Sequence, residues 1–175
     1  FSGTVGNCNT INSLRFNAAA ASTVTVGGTL IVTSGGIMNT AAVGANASTI
    51  TGGSMITGTG EWIFHQNNTA STLTIASNLL NGSITKNGTG TLVLSGVNTT
   101  GAVAIDEGIL RLAGGRALSD TSAVTIRNAA NTGLEITAGA GNSETIGSLA
   151  GDGAAGQVII GMDHSVVKTG DRSEE

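Results

Sequence analysis

The residues that could do chemistry in this sequence are few, and their spacing works against each reaction they bring to mind. Gly151-Asp-Gly-Ala-Ala-Gly156 spells G-x-G-x-x-G, and Asp171 lies where a ribose-binding acid would follow. A dinucleotide fingerprint needs a helix N-terminus aimed at the pyrophosphate. Here Gln157-Val-Ile-Ile160 reads as a strand, so a glycine-rich corner is expected instead. Asp163-His164-Ser165 contains the residue types of a nucleophilic triad, but neighbours on an extended chain point to opposite faces and cannot align for proton transfer. His164 therefore reads as a surface residue. His65, beside Trp62 and Phe64, reads as packing at one end of the molecule rather than as a metal ligand, since the chain has only 2 histidines.

Asp106-Glu107 is the one internal acidic pair. Such a pair could join a calcium ion and a basic residue in polysaccharide cleavage, but no second acidic cluster lies near it in sequence. A solvated turn at Ile105-Asp-Glu-Gly108 is expected. The calcium-binding nonapeptide G-G-x-G-x-D is absent. Cys8 is the only cysteine, which excludes an internal disulfide and a cysteine-based zinc site. It is expected to be a small buried hydrophobe. No catalytic residue, cofactor site or metal site is assigned, and the chain is expected not to be an enzyme.

What must position these residues follows from composition. The 175 residues include 28 Gly, no Pro and no Tyr, with 2% aromatic and 10% charged residues, against about 25% charged in ordinary domains. Outside the alanines, the apolar residues are mostly Val, Ile and Leu in short runs among Thr, Ser, Asn and Gly. β-Branched residues fit a pleated surface, and frequent Gly disfavours helix, so the chain is expected to be nearly all β. The net charge is −4 with 7 scattered Lys and Arg. No basic patch suits nucleic acid or an anionic membrane surface, and no apolar stretch is long enough for a membrane helix.

Apolar runs recur along the chain, as in Val24-Thr-Val26, Leu30-Ile-Val32, Leu73-Thr-Ile75, Leu92-Val-Leu94, Val103-Ala-Ile105, Val124-Thr-Ile126 and Val158-Ile-Ile160. The outer residues of each triplet share one strand face, so one face is buried and the other wet. Arg111, between Leu110 and Leu112, is expected to point outward. The runs are too close together for crossover helices. Ser34-Gly-Gly36, Gly52-Gly-Ser54, Asn87-Gly-Thr-Gly90 and Gly114-Gly-Arg116 read as corners. Two or three strands with corners make a coil of roughly 20 residues, which is stable only when stacked on others. Roughly nine coils are expected over residues 1–167, followed by a charged tail or end cap at 168–175. Thr-x-Thr pairs at Thr23/Thr25, Thr49/Thr51, Thr57/Thr59, Thr72/Thr74 and Thr89/Thr91 begin at irregular intervals, so they read as outward strand residues rather than as a regular ladder.

Ile84-Thr-Lys-Asn-Gly-Thr-Gly-Thr-Leu-Val-Leu-Ser-Gly-Val-Asn98, followed by Glu107-Gly-Ile-Leu-Arg-Leu112, resembles the autotransporter-associated β-strand repeat, also called the passenger-associated transport repeat. Asn12–Phe16, Thr33–Ile37, Ala117–Ile126 and Glu144–Gly151 look similar. The connection Asn98–Val103 is shorter than usual in that family, and Ser119 stands where proline is frequent. The resemblance implies a right-handed parallel β-helix, a solenoid, in a secreted or cell-surface bacterial passenger, stalk or adhesin. An unpaired coil edge further allows the molecule to bind itself end to end as a filament. A glycan- or surface-binding module is the alternative. A polysaccharide-active enzyme would need a cleft of acidic and basic residues that the sequence lacks.

Overall fold

The structure, a computed structural model, describes residues 2–137, 143–153, 155–160 and 168–169. Asp163-His164-Ser165, Asp171 and most of the 168–175 tail lie outside the described residues. Every described strand pair is parallel, and each strand bonds to one a full coil away in sequence. No α-helix occurs among the described residues; one 3-10 turn spans Ala41–Val43. The chain is a β-solenoid.

Three sides make up each coil. The first side stacks eight strands: Gly3–Val5, Ser22–Val26, Ser48–Thr51, Leu73–Ile75, Thr91–Leu94, Ile109–Leu112, Gly133–Ile136 and Gln157–Ile160. The second side has four, at Asn9–Ile11, Thr29–Val32, Ser54–Thr57 and Asn78–Leu79. The third has seven: Leu14–Phe16, Gly36–Asn39, Glu61–Gln66, Ser83–Asn87, Val103–Ile105, Ala123–Ile126 and Ser148–Gly151. Thr145–Ile146 and Lys168–Thr169 form a separate short pair.

Counted along the seven strands of the third side, the stack has about six full turns, fewer than the nine expected, because several coils take more than the roughly 20 residues assumed. From Val24 to its partner Ile50 is 26 residues (50 − 24), while Leu92 to Leu110 is 18 (110 − 92). Length is set at the corners. The connections 67–72 and 127–132 each take six residues between strands of the third and first sides, whereas 88–90 and 106–108 take three.

Strand alternation builds the core. On the first side, Val24, Ile50, Ile75, Leu94, Leu112 and Ile136 stack in register and are buried. On the third, Trp62, Ile84, Val103 and Val124 do the same. Each such aliphatic contributes about 1.5–3 kcal/mol by leaving water. Trp62 and Phe64 are stacked with centroids 6.2 Å apart, and the Trp62 Nε1–H donates to the Asn81 carbonyl at 2.7 Å.

Tight corners require glycine where the next coil passes close. Gly35 has φ +66, and a Cβ there would sit 1.8 Å from the Glu61 carbonyl oxygen. Gly108 also has φ +66, and its Cβ would lie 2.5 Å from the Gly88 oxygen.

Two expectations need correcting. Cys8 is exposed, with φ 59, because it occupies the turn between the strands Gly3–Val5 and Asn9–Ile11 rather than an inward strand position. His65 lies within the stack and not at its end, half-buried on the outer surface of the third side between Met38 and Asn87. Alternation along Glu61–Gln66 turns Trp62, Phe64 and Gln66 inward and leaves His65 facing out.

Leu92 and Leu94 are buried while Thr91, between the same corners, is half-exposed. Leu92→Asp or Leu94→Asp should therefore abolish cooperative unfolding or lower stability by more than about 4 kcal/mol. Thr91→Asp should cost less than about 1 kcal/mol. Urea titrations of the three variants would check this, and equal tolerance would reverse the assignment of faces.

Candidate functional site

Buried polar side chains are concentrated at the corner from the third side to the first and along the second side. Both are places where the chain must turn and its backbone groups would otherwise lack partners.

At the corner, each successive coil uses a different head group. Asn39 Oδ1 accepts from the Ser48 hydroxyl at 3.3 Å. One coil on, in register with Asn39, Gln66 donates from Nε2 to the carbonyls of Asn68, Ser71 and Thr91 at 3.0, 2.9 and 3.2 Å. Asn39 Nδ2 and Gln66 Oε1 are left without partners. In the following coil Lys86 takes over. Its stem occupies the inward column between Phe64 and Ile105. Its ammonium donates to the carbonyls of Asn87, Gly88 and Glu107 at 3.1, 2.6 and 2.8 Å. Glu107 answers from the coil above, its Oε2 accepting the Gly88 N–H at 3.2 Å. Burial pulls the Lys86 pKa down to about 8, against the opposing attraction of Glu107.

Along the second side the strand ladder stops at Asn78–Leu79, and side chains continue it. Asn98 Oδ1 accepts the Leu79 N–H at 2.8 Å, and its Nδ2 donates to the Ala117 carbonyl at 2.7 Å, so one amide joins three coils. Asn78 Oδ1 accepts the Val97 N–H at 2.9 Å. Higher up, the buried carboxylate of Glu144 accepts the N–H groups of Ala117 and Leu118 at 3.0 and 2.7 Å. Burial raises the pKa of Glu144 in spite of these bonds, with repulsion from Asp120 adding to the rise.

The residues singled out from sequence fall as follows. Asp106 pairs with Arg127 at 3.1 Å, and Glu107 is exposed at the turn but bonded to Gly88. Arg111 faces outward and pairs with Glu135 of the next coil at 3.0 Å. Gly151–Gly156 leads from the strand Ser148–Gly151 into the strand Gln157–Ile160, without the helix a dinucleotide site needs. No group of three His, Cys, Asp or Glu that could hold a metal ion occurs among the described residues. Thr23/Thr25 and Thr49/Thr51 do stack in register, extended by Thr4 below and Thr74 above. Thr74 is thus the one residue of the Thr72/Thr74 pair shown to join these columns, while Thr57/Thr59 lies at the second side and Thr91 stacks on Ile109.

Lys86, Asn98 and Glu144 were not picked out by sequence reasoning. For Lys86 a signal existed, since alternation from Ile84 places it inward. Asn98 closes the motif that contains it. Nothing local marks Glu144.

With this geometry in place, comparison with known families bears on one segment. Residues 84–112 match the Passenger-associated-transport-repeat family. This segment is similar to a passenger-associated transport repeat. It runs from the third-side strand Ser83–Asn87 through the next coil to the first-side strand Ile109–Leu112, and so contains Lys86, Asn98 and Glu107. Neither a curated protein nor a solved structure gives a match. Within the repeat, Lys86 and Asn98 bond each coil to its neighbour, and Gly88 and Gly108 permit the three-residue corners.

Lys86→Met keeps the stem and removes the donor to three carbonyls, so it should lower stability by about 1–3 kcal/mol. Titration gives a second test. The folded pKa of about 8 lies below the usual 10.5, so between these values the unfolded chain holds this proton more tightly. The contribution of Lys86 to stability should rise with pH across that window. The chain has no Tyr and, besides Lys86, only Lys168 as lysine, and any other group that titrates in this range is shared by K86M, so the comparison isolates Lys86. Urea midpoints at pH 7.5 and 10.5 should show a rise in the parent chain that K86M lacks.

Proposed function

We propose that this chain is a non-enzymatic structural stretch of an extracellular bacterial β-helix, a rod that spaces or displays other parts of a surface or secreted protein and stacks end to end with further coils. The transport repeat within a parallel three-sided stack is the observation that carries this reading. Fold and repeat together fit the structural β-helix of an autotransporter passenger. Among the described residues, the most buried titratable groups, Lys86 and Glu144, are each bonded to backbone.

Stacking beyond the described coils is supported at the N-terminal end. There Gly3–Val5, Asn9–Ile11 and Leu14–Phe16 are the outermost strands of their sheets. Between them lies an apolar hollow of about 210 Å³ lined by Val5, Ile11, Leu14, Phe16, Val24 and Leu30. Val5, Ile11 and Leu14 are half-buried, whereas Leu30 in the next coil is completely covered. A partner that satisfies both the hollow and the three strand edges is another coil of the same kind, and contacts of that sort propagate head to tail.

Negative-stain microscopy and sedimentation over a range of concentrations test the assembly. Particles should lengthen along one axis with concentration, and Ile11→Glu with Leu14→Glu should leave short monomers of unchanged strand content. Short dispersed particles of the parent chain at high concentration would refute self-association.

A further inference from the structure

The unequal corners produce a feature that the rod itself does not need. Two three-residue corners, 88–90 and 106–108, are flanked along the same edge by the six-residue corners 67–72 and 127–132. The short corners form a floor and the long ones form walls, leaving a notch of about 380 Å³. Four stacked corners at the strand spacing make it roughly 14 Å long. Thr69 lies on one wall, Thr89 and Glu107 on the floor, and Ala130, Asn131 and Thr132 on the other wall.

We propose that this notch binds a neutral, hydroxyl-rich ligand, one or two sugar units of a glycan. Glu107 is exposed, and one carboxylate oxygen is bonded to the Gly88 N–H. The other can accept from a pair of sugar hydroxyls. Thr69, Thr89 and Asn131 are exposed and offer hydroxyl and amide groups on three sides. Thr132 is only 1% exposed, and its hydroxyl has no hydrogen-bond partner. A buried hydroxyl left unpaired costs free energy that a ligand group, or a water it holds, would recover. Asn131, within the long corner 127–132, has φ 59, the left-handed region that asparagine adopts in turns.

The charge pattern sets the class of ligand. Glu107 is the one carboxylate lining the notch, and the Lys86 ammonium beneath it partly offsets its charge. A single, partly neutralised carboxylate is a poor calcium site, which takes six to eight oxygens. The same carboxylate repels acidic sugars and phosphates. No aromatic ring lines the notch, so recognition rests on hydrogen bonds and is weak, in the millimolar range.

This inference is independent of the rod reading, and the two fail separately. Amide chemical shifts of the labelled protein should be followed while neutral gluco-, galacto- and manno-oligosaccharides are added, with an oligogalacturonate as the charged control. Saturable shifts are expected at Thr89, Glu107, Asn131 and Thr132 with at least one neutral series. Glu107→Gln should weaken that binding by about tenfold, and Ala130→Trp, which fills the notch from an exposed position, should abolish it. Both variants should otherwise keep the parent spectrum, which shows that they fold. No shift with any neutral sugar, equal binding by both variants, or binding of the oligogalacturonate alone would overturn the proposal.

Discussion

Parallel hydrogen bonding between one coil and the next is the contact on which the rest of this molecule depends. Leu92 pairs with Leu73 below and Leu110 above, and the same registration that joins their backbones superimposes their side chains. Ladder and core are therefore one interaction counted along two directions. A single coil has neither, since its strands face one another across the bore and do not bond. Stability accumulates along the axis and is weakest at the ends.

That constraint explains why polar groups appear inside an otherwise apolar bore. Stacking fixes the strands, but corners differ in length and direction, and their carbonyl and N–H groups do not meet in a regular ladder. Gln66, Lys86, Asn98 and Glu144 supply the missing partners, each spanning adjacent coils. A lysine in such a position carries a desolvation cost, visible in its depressed pKa. In exchange, three carbonyls of two coils converge on one group. Local solutions of this kind let coils of 18 and 26 residues share one stack, and the resulting step in corner length opens the notch around Glu107.

Strands such as Thr91–Leu94 were legible from sequence because period-two alternation is a property of the backbone alone. The same rule correctly turned Arg111 outward. It also pointed Lys86 inward, but a cation is seldom expected in a core, and only its three carbonyl partners explain it. Glu144 was illegible, since its N–H partners at Ala117 and Leu118 lie a coil away. The coil number was overestimated, and the local stacking of Thr23/Thr25 on Thr49/Thr51 was not foreseen, for a shared reason. Register depends on corner length, and Gly- and Asn-rich corners of three or six residues look alike in sequence. Cys8 was misplaced because its residue type suggests burial, and His65 because it stands beside Trp62 and Phe64, whereas position in a turn or on an outward strand site decides the matter.

Nuclear Overhauser contacts between backbone protons of successive coils test the stacking most directly. The register requires contacts linking Leu73 with Leu92, Leu92 with Leu110, and Leu110 with Leu134. All should run in the same direction, with those amides among the slowest to exchange. Antiparallel contacts between strands adjacent in sequence, such as Ser83–Asn87 with Thr91–Leu94, would contradict the account.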